Sequence, residues 1–349
     1  MVMEQTSRIR AQLVNDRIVT WNRDPLDGLV STRASRDYYV DGLVDEPQLR
    51  QQVGKGGEVG FYGSMFLQDV TRLLPYRRGV EDGFTARLSP ANERLDELFM
   101  TASPTQYGPA QNVEGAVRTF VEDCAQALMF GPVTYELAFY SRAASPEQFE
   151  AFRFEQILQG SVSTIKGRPV QFVPAGMSDR STREGLHYVE LDPATVFQFQ
   201  LDPRTATVVA EAWEIFRAAD RQQIVPTDML TKHGGTSTGF VFSEHRSSVS
   251  ALALSGTREL GWTGRDLFTD GMLDPFKALR HLRFLRFQLI VREATLSGLS
   301  ALLVRAGERM GFEAKLTVEG LKNAVDLERA EAGLVSGTRS ISDLLVLEI

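Results

Sequence analysis

The residues of this chain that could do chemistry are few and far apart. Its four histidines are His187, His233, His245 and His281. None sits at the short spacing that holds a metal, and HExxH does not occur. The single cysteine, Cys124, lies on the apolar side of a strongly helical stretch, which reads as core and not as a nucleophile. Gly235-Thr236-Ser237-Thr238-Gly239 has the letters of GxSxG, but it lies in a Gly/Ser/Thr-rich stretch read as loop, without the strand-to-helix turn that a nucleophile elbow needs. His233-Gly234-Gly235 has the composition of an oxyanion-hole loop, but in this loop-rich stretch it reads as a turn. Glu244–His245 has the makings of an acid–base pair, and an exposed polar loop explains it better. Gly54, Gly56, Gly57 and Gly60 invite a phosphate-loop reading, yet GxxxxGK[ST] is absent and Val59 breaks GxGxxG. No carboxylate stands in an apolar run that would tune its pKa. The expectation is a protein that is not an enzyme, with no cofactor, no metal and no catalytic residue.

Composition sets the class. A chain of 349 residues suggests two or three structural units, and 43% hydrophobic with 24% charged residues suits a folded soluble protein. A net charge of −7 argues against a general nucleic-acid coat, though not against a protein that lets nucleic acid pass. One cysteine allows no intrachain disulfide and points to a reducing compartment. The N-terminus has no apolar core of signal-peptide length. No run is expected to reach transmembrane length, because the most apolar stretch carries Lys277, Arg280, His281, Arg283, Arg286 and Arg292.

That stretch, 274–296, is the strongest element. Asp274 can cap a helix, and Pro275 fits its first position, where a missing N–H costs nothing. Ala278, Leu282, Leu285 and Leu289 share one face; Phe276, Leu279, Phe287, Ile290 and Val291 spread over a second. Only a narrow stripe is purely polar, namely Lys277, His281, Gln288 and Arg292. A helix apolar on two sides needs neighbours on both. It is either the central helix of a globular domain or a helix wedged between copies of itself in a ring.

Other elements must position this helix. Residues 1–60 read as an extended arm. Short helices are expected at 60–75 and 90–100, and a confident one at 112–130, capped by Asn112 and ended by Gly131-Pro132. Val133–Tyr140 alternates as a strand. Residues 146–157 read as a weak helical insert. Strands are expected at 169–173, 185–191, 196–201, 207–216 and 222–225, an antiparallel series that disfavours a doubly wound nucleotide fold. Residues 231–263 read as loops and a hairpin, 300–310 as a helix, 313–319 as strand-like, 320–334 as a further segment and 341–349 as a strand.

The order of these pieces resembles phage portal proteins, the ring through which double-stranded DNA enters the viral head. VEGAVRTFVEDCAQALMFGPVTYELAFY at 113–140 is similar to the portal helix, glycine and "YEL"-type strand. YVELDPATVFQFQLDP at 188–203, the strand to Phe216 and QQIVPTDMLTK at 222–232 resemble the family's strand meander. ELGWTGRDLFTDGMLDPFKALRHLRFLRFQL at 259–289 resembles the approach to its stem helix, with Lys277 matching a lysine near the start and Arg265-Asp266-Leu267 replacing an S-L-L segment. The likeness covers roughly 112–300. A full portal continues past a clip into a second stem helix, a tunnel loop and a crown helix, so a minimal, split or truncated version is expected.

The resemblance implies an α+β fold, with an antiparallel β-rich wing and a long stem-type helix. The expected divisions are an arm at 1–60, a wing-like domain at 61–232, a connector at 233–273, the stem helix at 274–296 and a clip-like segment at 297–349. It implies a structural ring protein of the virion, assembled in the host cytoplasm and involving no membrane. Its partners would be identical subunits in a dodecameric ring, the DNA passing through, the major capsid protein, the packaging terminase and a head–tail adaptor. Leu282, Leu285, Leu289, Phe287 and Ile290 would meet neighbouring subunits, and Lys277, His281, Gln288 and Arg292 would face DNA. The competing readings are a hydrolase or transferase with its site in the 231–265 loops, and a non-catalytic tail or baseplate component.

Overall fold

The computed structural model describes residues 11–14, 17–20, 29–31, 36–38, 59–75, 83–102, 110–142, 144, 148–157, 161–165, 168–173, 187–223, 242–264 and 274–345. The fold is α+β with antiparallel strand pairing throughout these residues. The helices are α1 (Phe61–Val70), α2 (Glu93–Ala102), α3 (Val113–Leu128), α4 (Pro203–Gln223), α5 (Phe242–Gly256), α6 (Asp274–Met310), α7 (Ala324–Val335) and α8 (Ile341–Leu345). The strands are β1 (Ala11–Val14), β2 (Arg17–Thr20), β3 (Leu29–Ser31), β4 (Arg36–Tyr38), β5 (Thr85–Ser89), β6 (Val133–Arg142), β7 (Phe149–Ile157), β8 (Val162–Ile165), β9 (Arg168–Val173), β10 (His187–Glu190), β11 (Val196–Phe199) and β12 (Lys315–Glu319).

The sheet around β6 is the platform. β7 pairs along one edge of β6, with Leu137 opposite Phe154; β11 and β3 share the other edge. Every β6 residue except Arg142 is buried, so both faces are covered and the strand shows no polar side. A second sheet runs β4-β10-β9-β8, and β5 pairs with β12. α3 lies on the platform. Its Phe120 ring sits 5.0 Å from Tyr135, 5.5 Å from Phe154 and 5.7 Å from Phe199. A second aromatic knot gathers around Phe66 of α1, which meets Trp213 and Phe216 of α4, Trp262, and Phe287 of α6. One apolar core therefore takes buried residues from Tyr62 to Leu316, and the segments 61–232, 233–273 and 274–296 share it.

Several sequence expectations need correction. Residues 146–157 are not a helical insert, since 149–157 form β7. Phe152 and Phe154 are buried there, but so is Arg153 between them, which hides the alternation of a half-buried strand. Residues 207–216 and 222–223 are not strands but parts of α4. Thr207-Val208-Val209 raises strand propensity, whereas Val209, Ala212, Trp213, Phe216 and Ala219 recur at helical spacing and are buried. Asp202-Pro203 starts this helix: the Asp202 carboxylate accepts from Arg204 N at 3.1 Å and Thr205 N at 3.0 Å. Residues 242–256 form α5 rather than a hairpin. At the C-terminal end, 341–345 are helical rather than extended. Ser340 and Asp343 exchange hydrogen bonds as a capping box there, and 346–349 lie outside the described residues.

The largest difference is α6 itself. It does not stop near Gly298 but runs unbroken for 37 residues, about 55 Å. Gly298 is placed for close approach, since a Cβ there would lie 2.1 Å from the Phe199 ring of β11. Within Pro275–Met310 one window is long and apolar enough to cross a membrane, contrary to the expectation that no run would be. In the fold 56% of that window is buried, as in the core helix of a globular domain.

Gly298→Val should force α6 away from β11 and cost about 1–3 kcal/mol in urea unfolding. Adding Phe199→Ala should recover part of that loss. Full stability in Gly298→Val would mean that the two elements do not touch as described.

Candidate functional site

The candidate site is α6 and the surfaces it meets, because every residue singled out for assembly or DNA contact lies on it. Its apolar residues divide between two internal contacts. Leu282 packs with Ala278 and with Ala330, Leu334 and Ile341 of α7 and α8. Leu285 and Leu289 close over Leu327 of α7. Phe287 stacks on Phe66 with ring centroids 6.2 Å apart. The expected subunit contacts Leu282, Leu285, Leu289 and Phe287 are thus buried by the chain itself. The two apolar flanks are real, but the partner on one of them is the C-terminal helix pair. α7 could be brought there because Asn323 and Asp326 cap it and Leu327 and Ala330 give it a narrow apolar side.

Ile290 is different, being 41% exposed. It shares its side of α6 with Phe276, Leu279 and Val304, which are 58%, 39% and 44% exposed. Between these apolar residues lie Arg283, Arg286, Glu293, Ser297 and Glu308, all at least partly exposed. At 100° per residue the whole set falls within a stripe about 100° wide. Arg286 on this stripe ion-pairs with Glu331 of α7.

The polar stripe is not one surface. Lys277 and His281, near the start of α6, are half-buried. Gln288 and Arg292 are inside, at 5% and 2% exposure. Gln288 Nε2 donates to the Asp69 carbonyl at 2.9 Å and to the Arg72 carbonyl at 3.3 Å. Arg292 donates to the carbonyls of Leu73 and Lys322. Arg118 of α3 takes the next two carbonyls, Leu74 at 3.0 Å and Pro75 at 2.7 Å. A helix leaves its last four carbonyls without partners, and these side chains supply donors to the end of α1 and the turn after it. Neither Gln288 nor Arg292 can therefore face DNA.

Sequence reasoning passed over Asp69, Arg280 and Asp123. Asp69 is buried and accepts the Trp262 indole N–H at 2.9 Å. Its place between Phe66 and Leu73 on the inward face of α1 was the available signal. Arg280, counted in the sequence only among the charges of the 274–296 stretch, donates to the Trp262 carbonyl at 2.7 Å and the Thr257 hydroxyl at 3.1 Å. Burial, reinforced by Arg283 and Arg258, lowers its pKa to about 10. The Asp123 carboxyl, half-buried on α3 beside Glu122, is pushed up by burial to about 6, so a tuned carboxylate does exist. Next to it, Cys124 is fully buried and burial raises its thiol well above the usual range, which keeps it from acting as a nucleophile.

Among the described residues no three His, Cys, Asp or Glu side chains gather as metal ligands. Residues 231–241, with His233-Gly234-Gly235, and the glycines Gly54, Gly56 and Gly57 lie outside the described residues. Glu244 and His245 fall in α5. No protein-family model matches the chain, and no curated protein matches it significantly.

Two expectations follow. Removing the donors should cost stability, not just charge: Gln288→Leu and Arg292→Met should each lose about 1–3 kcal/mol in denaturant unfolding, while Ile290→Gln should stay within about 0.5 kcal/mol.

Asp123 gives a pH signature. Its folded pKa of about 6 lies above the ordinary 3.8, so the folded chain holds a proton that the unfolded chain has lost between those values. Its contribution to stability is best below pH 4, falls as pH rises towards 6, and is fully unfavourable above that. Asp123→Asn should remove this fall and raise stability at pH 7 by about 2 kcal/mol, read from melts at pH 4, 5, 6 and 7. A mutant that keeps the wild-type slope would show that the fall comes from other groups.

Proposed function

We propose that the protein is a self-assembling structural subunit, and more particularly a portal-type ring subunit through which double-stranded DNA passes into and out of a phage head. The observation that carries the reading is the exposed line of Phe276, Leu279, Ile290 and Val304 along a helix about 55 Å long. Single exposed apolar residues are ordinary; four in register along one long helix favour a packing seam. The succession of α3, the Gly131-Pro132 break, β6, antiparallel strands and a long helix supports the portal form of the reading. On it, the seam moves from Leu282, Leu285, Leu289 and Phe287 to the exposed stripe, keeping Ile290. Lys277 and His281 are then the two remaining candidates for contact with passing DNA. The partners are identical subunits, most simply twelve in a ring, with capsid protein, terminase and a head–tail adaptor at its ends.

Light scattering after size exclusion, with negative-stain imaging, tests this. The wild type should form closed rings. Ile290→Asp with Val304→Asp should give monomers with an unchanged circular dichroism spectrum. Leu285→Asp should instead unfold the subunit, because it buries a charge against α7. A wild type that stays monomeric at high concentration, or a double mutant that still assembles, would sink the proposal.

A further inference from the structure

We infer that Arg258 and Arg283, backed by the buried Arg280, form a binding site for a phosphate-type oxyanion at the junction of α5 and α6. This does not depend on ring assembly. Arg280 is 8% exposed, and its Nε has no hydrogen-bond partner. Its two strong contacts, the Trp262 carbonyl and the Thr257 hydroxyl, are neutral. Arg283 reaches over the same turn to the Arg258 carbonyl at 3.5 Å, and its Cβ region packs against Gly261. Arg258 is exposed and Arg283 half-buried. Among the described residues no carboxylate pairs with any of the three.

A purely structural account has the arginines finishing the C-terminus of α5, where carbonyls and the helix dipole favour cations. That account leaves charge over. A helix end carries about half a negative charge, against three full positive ones. Arg258 is solvated, but burying the Arg280 guanidinium without a counter-ion costs several kcal/mol, so the cluster would gain from an added anion. A phosphate group supplies the charge, with oxygens that match the planar donor fork of arginine. The contacts would come from Arg258 and Arg283. Arg280, enclosed behind them, strengthens the local field and supports Arg283 through the turn both hold. Guanidinium groups contacting phosphate oxygens would read phosphate and not sequence.

The test uses the full chain and inorganic phosphate. At fixed pH and matched ionic strength, replacing chloride by phosphate should raise the Tm of the wild type by about 2 °C in a saturable way. Arg258→Gln with Arg283→Gln should abolish that increment while leaving Tm in chloride equal or higher, since like-charge repulsion is relieved. Arg258→Lys should keep most of it. A short DNA duplex added to the phosphate titration separates the sources. Competition assigns the site to a nucleic-acid backbone, and lack of competition assigns it to free phosphate. No increment in the wild type, or an equal increment in the double variant, would overturn the inference.

Discussion

The fold depends on donors of one helix reaching carbonyls at the ends of other elements. Arg280 serves the turn after α5, Gln288 and Arg292 serve the end of α1, and Arg305 gives 2.7 Å to the Val196 carbonyl of β11. Each accepting group lies where regular pairing stops. A buried carbonyl left without a donor costs about 1–3 kcal/mol, and a bond from a charged donor is worth about 1.5–3 kcal/mol. Apolar contact along α6 is broad and tolerant of sliding. The polar contacts are not, because a one-residue shift along the helix turns each donor by 100° away from its carbonyl. The leucines thus bring α6 into the core, and the arginines and Gln288 fix its register.

Using arginine for this work has consequences. The carbonyls are neutral, so they solvate a guanidinium without cancelling its charge. Arg292 and Arg280 both have pKa values lowered by burial, yet Arg280 at about 10 remains charged in any physiological medium. Long aliphatic stems help, since they cover apolar surface while the head reaches a polar end. Arg305 shows the combination: its guanidinium lies 5.2 Å from the Phe197 ring centre while donating to β11. Asp69 and Asp220 work in the opposite sense, as helix-borne acceptors for other elements, Asp69 for the Trp262 indole in the turn after α5. The Asp220 carboxylate of α4 takes the Tyr62 N–H at 3.2 Å, replacing the side-chain cap that Gly60 lacks.

Much of this was legible in the sequence. Local signals gave the starts of α3 and α6, the break at Gly131-Pro132, the strand β6 and the antiparallel character of the sheets. Asp202-Pro203 carried the same start signal as Asp274-Pro275, but three β-branched residues behind it outweighed it. The two apolar flanks of α6 were visible as well. Their partners were not, because sequence periodicity says that a face is covered and never by what. Leu285 and Leu289 look the same whether Leu327 of the same chain or a neighbouring subunit closes over them. The polar stripe failed for a related reason. Gln288 and Arg292 were assigned to solvent or DNA on the assumption that polar means outside, whereas carbonyls at the end of α1 draw them inside. Those acceptors lie more than 200 residues away in the chain, beyond any local pattern.

The same division of labour explains what is left over on α6. Its contacts with α7 and α8, with the main core and with the end of α1 take up most of its circumference. On the remaining stripe Arg286 pairs with Glu331 and Arg283 donates to the Arg258 carbonyl, while Phe276, Leu279, Ile290 and Val304 are left exposed. Had it faced only water, polar residues would serve at every position and favour solubility. Phe276, Ile290 and Val304 recur instead at intervals of fourteen residues, close to four helical turns, with arginines and glutamates between them. Apolar residues spaced along a rigid rod and separated by charges of both signs are what a seam between helices requires: the first give adhesion, and the second set register and exclude misaligned partners. The internal carbonyl contacts fix the helix in rotation, so they also determine that this stripe points away from the fold.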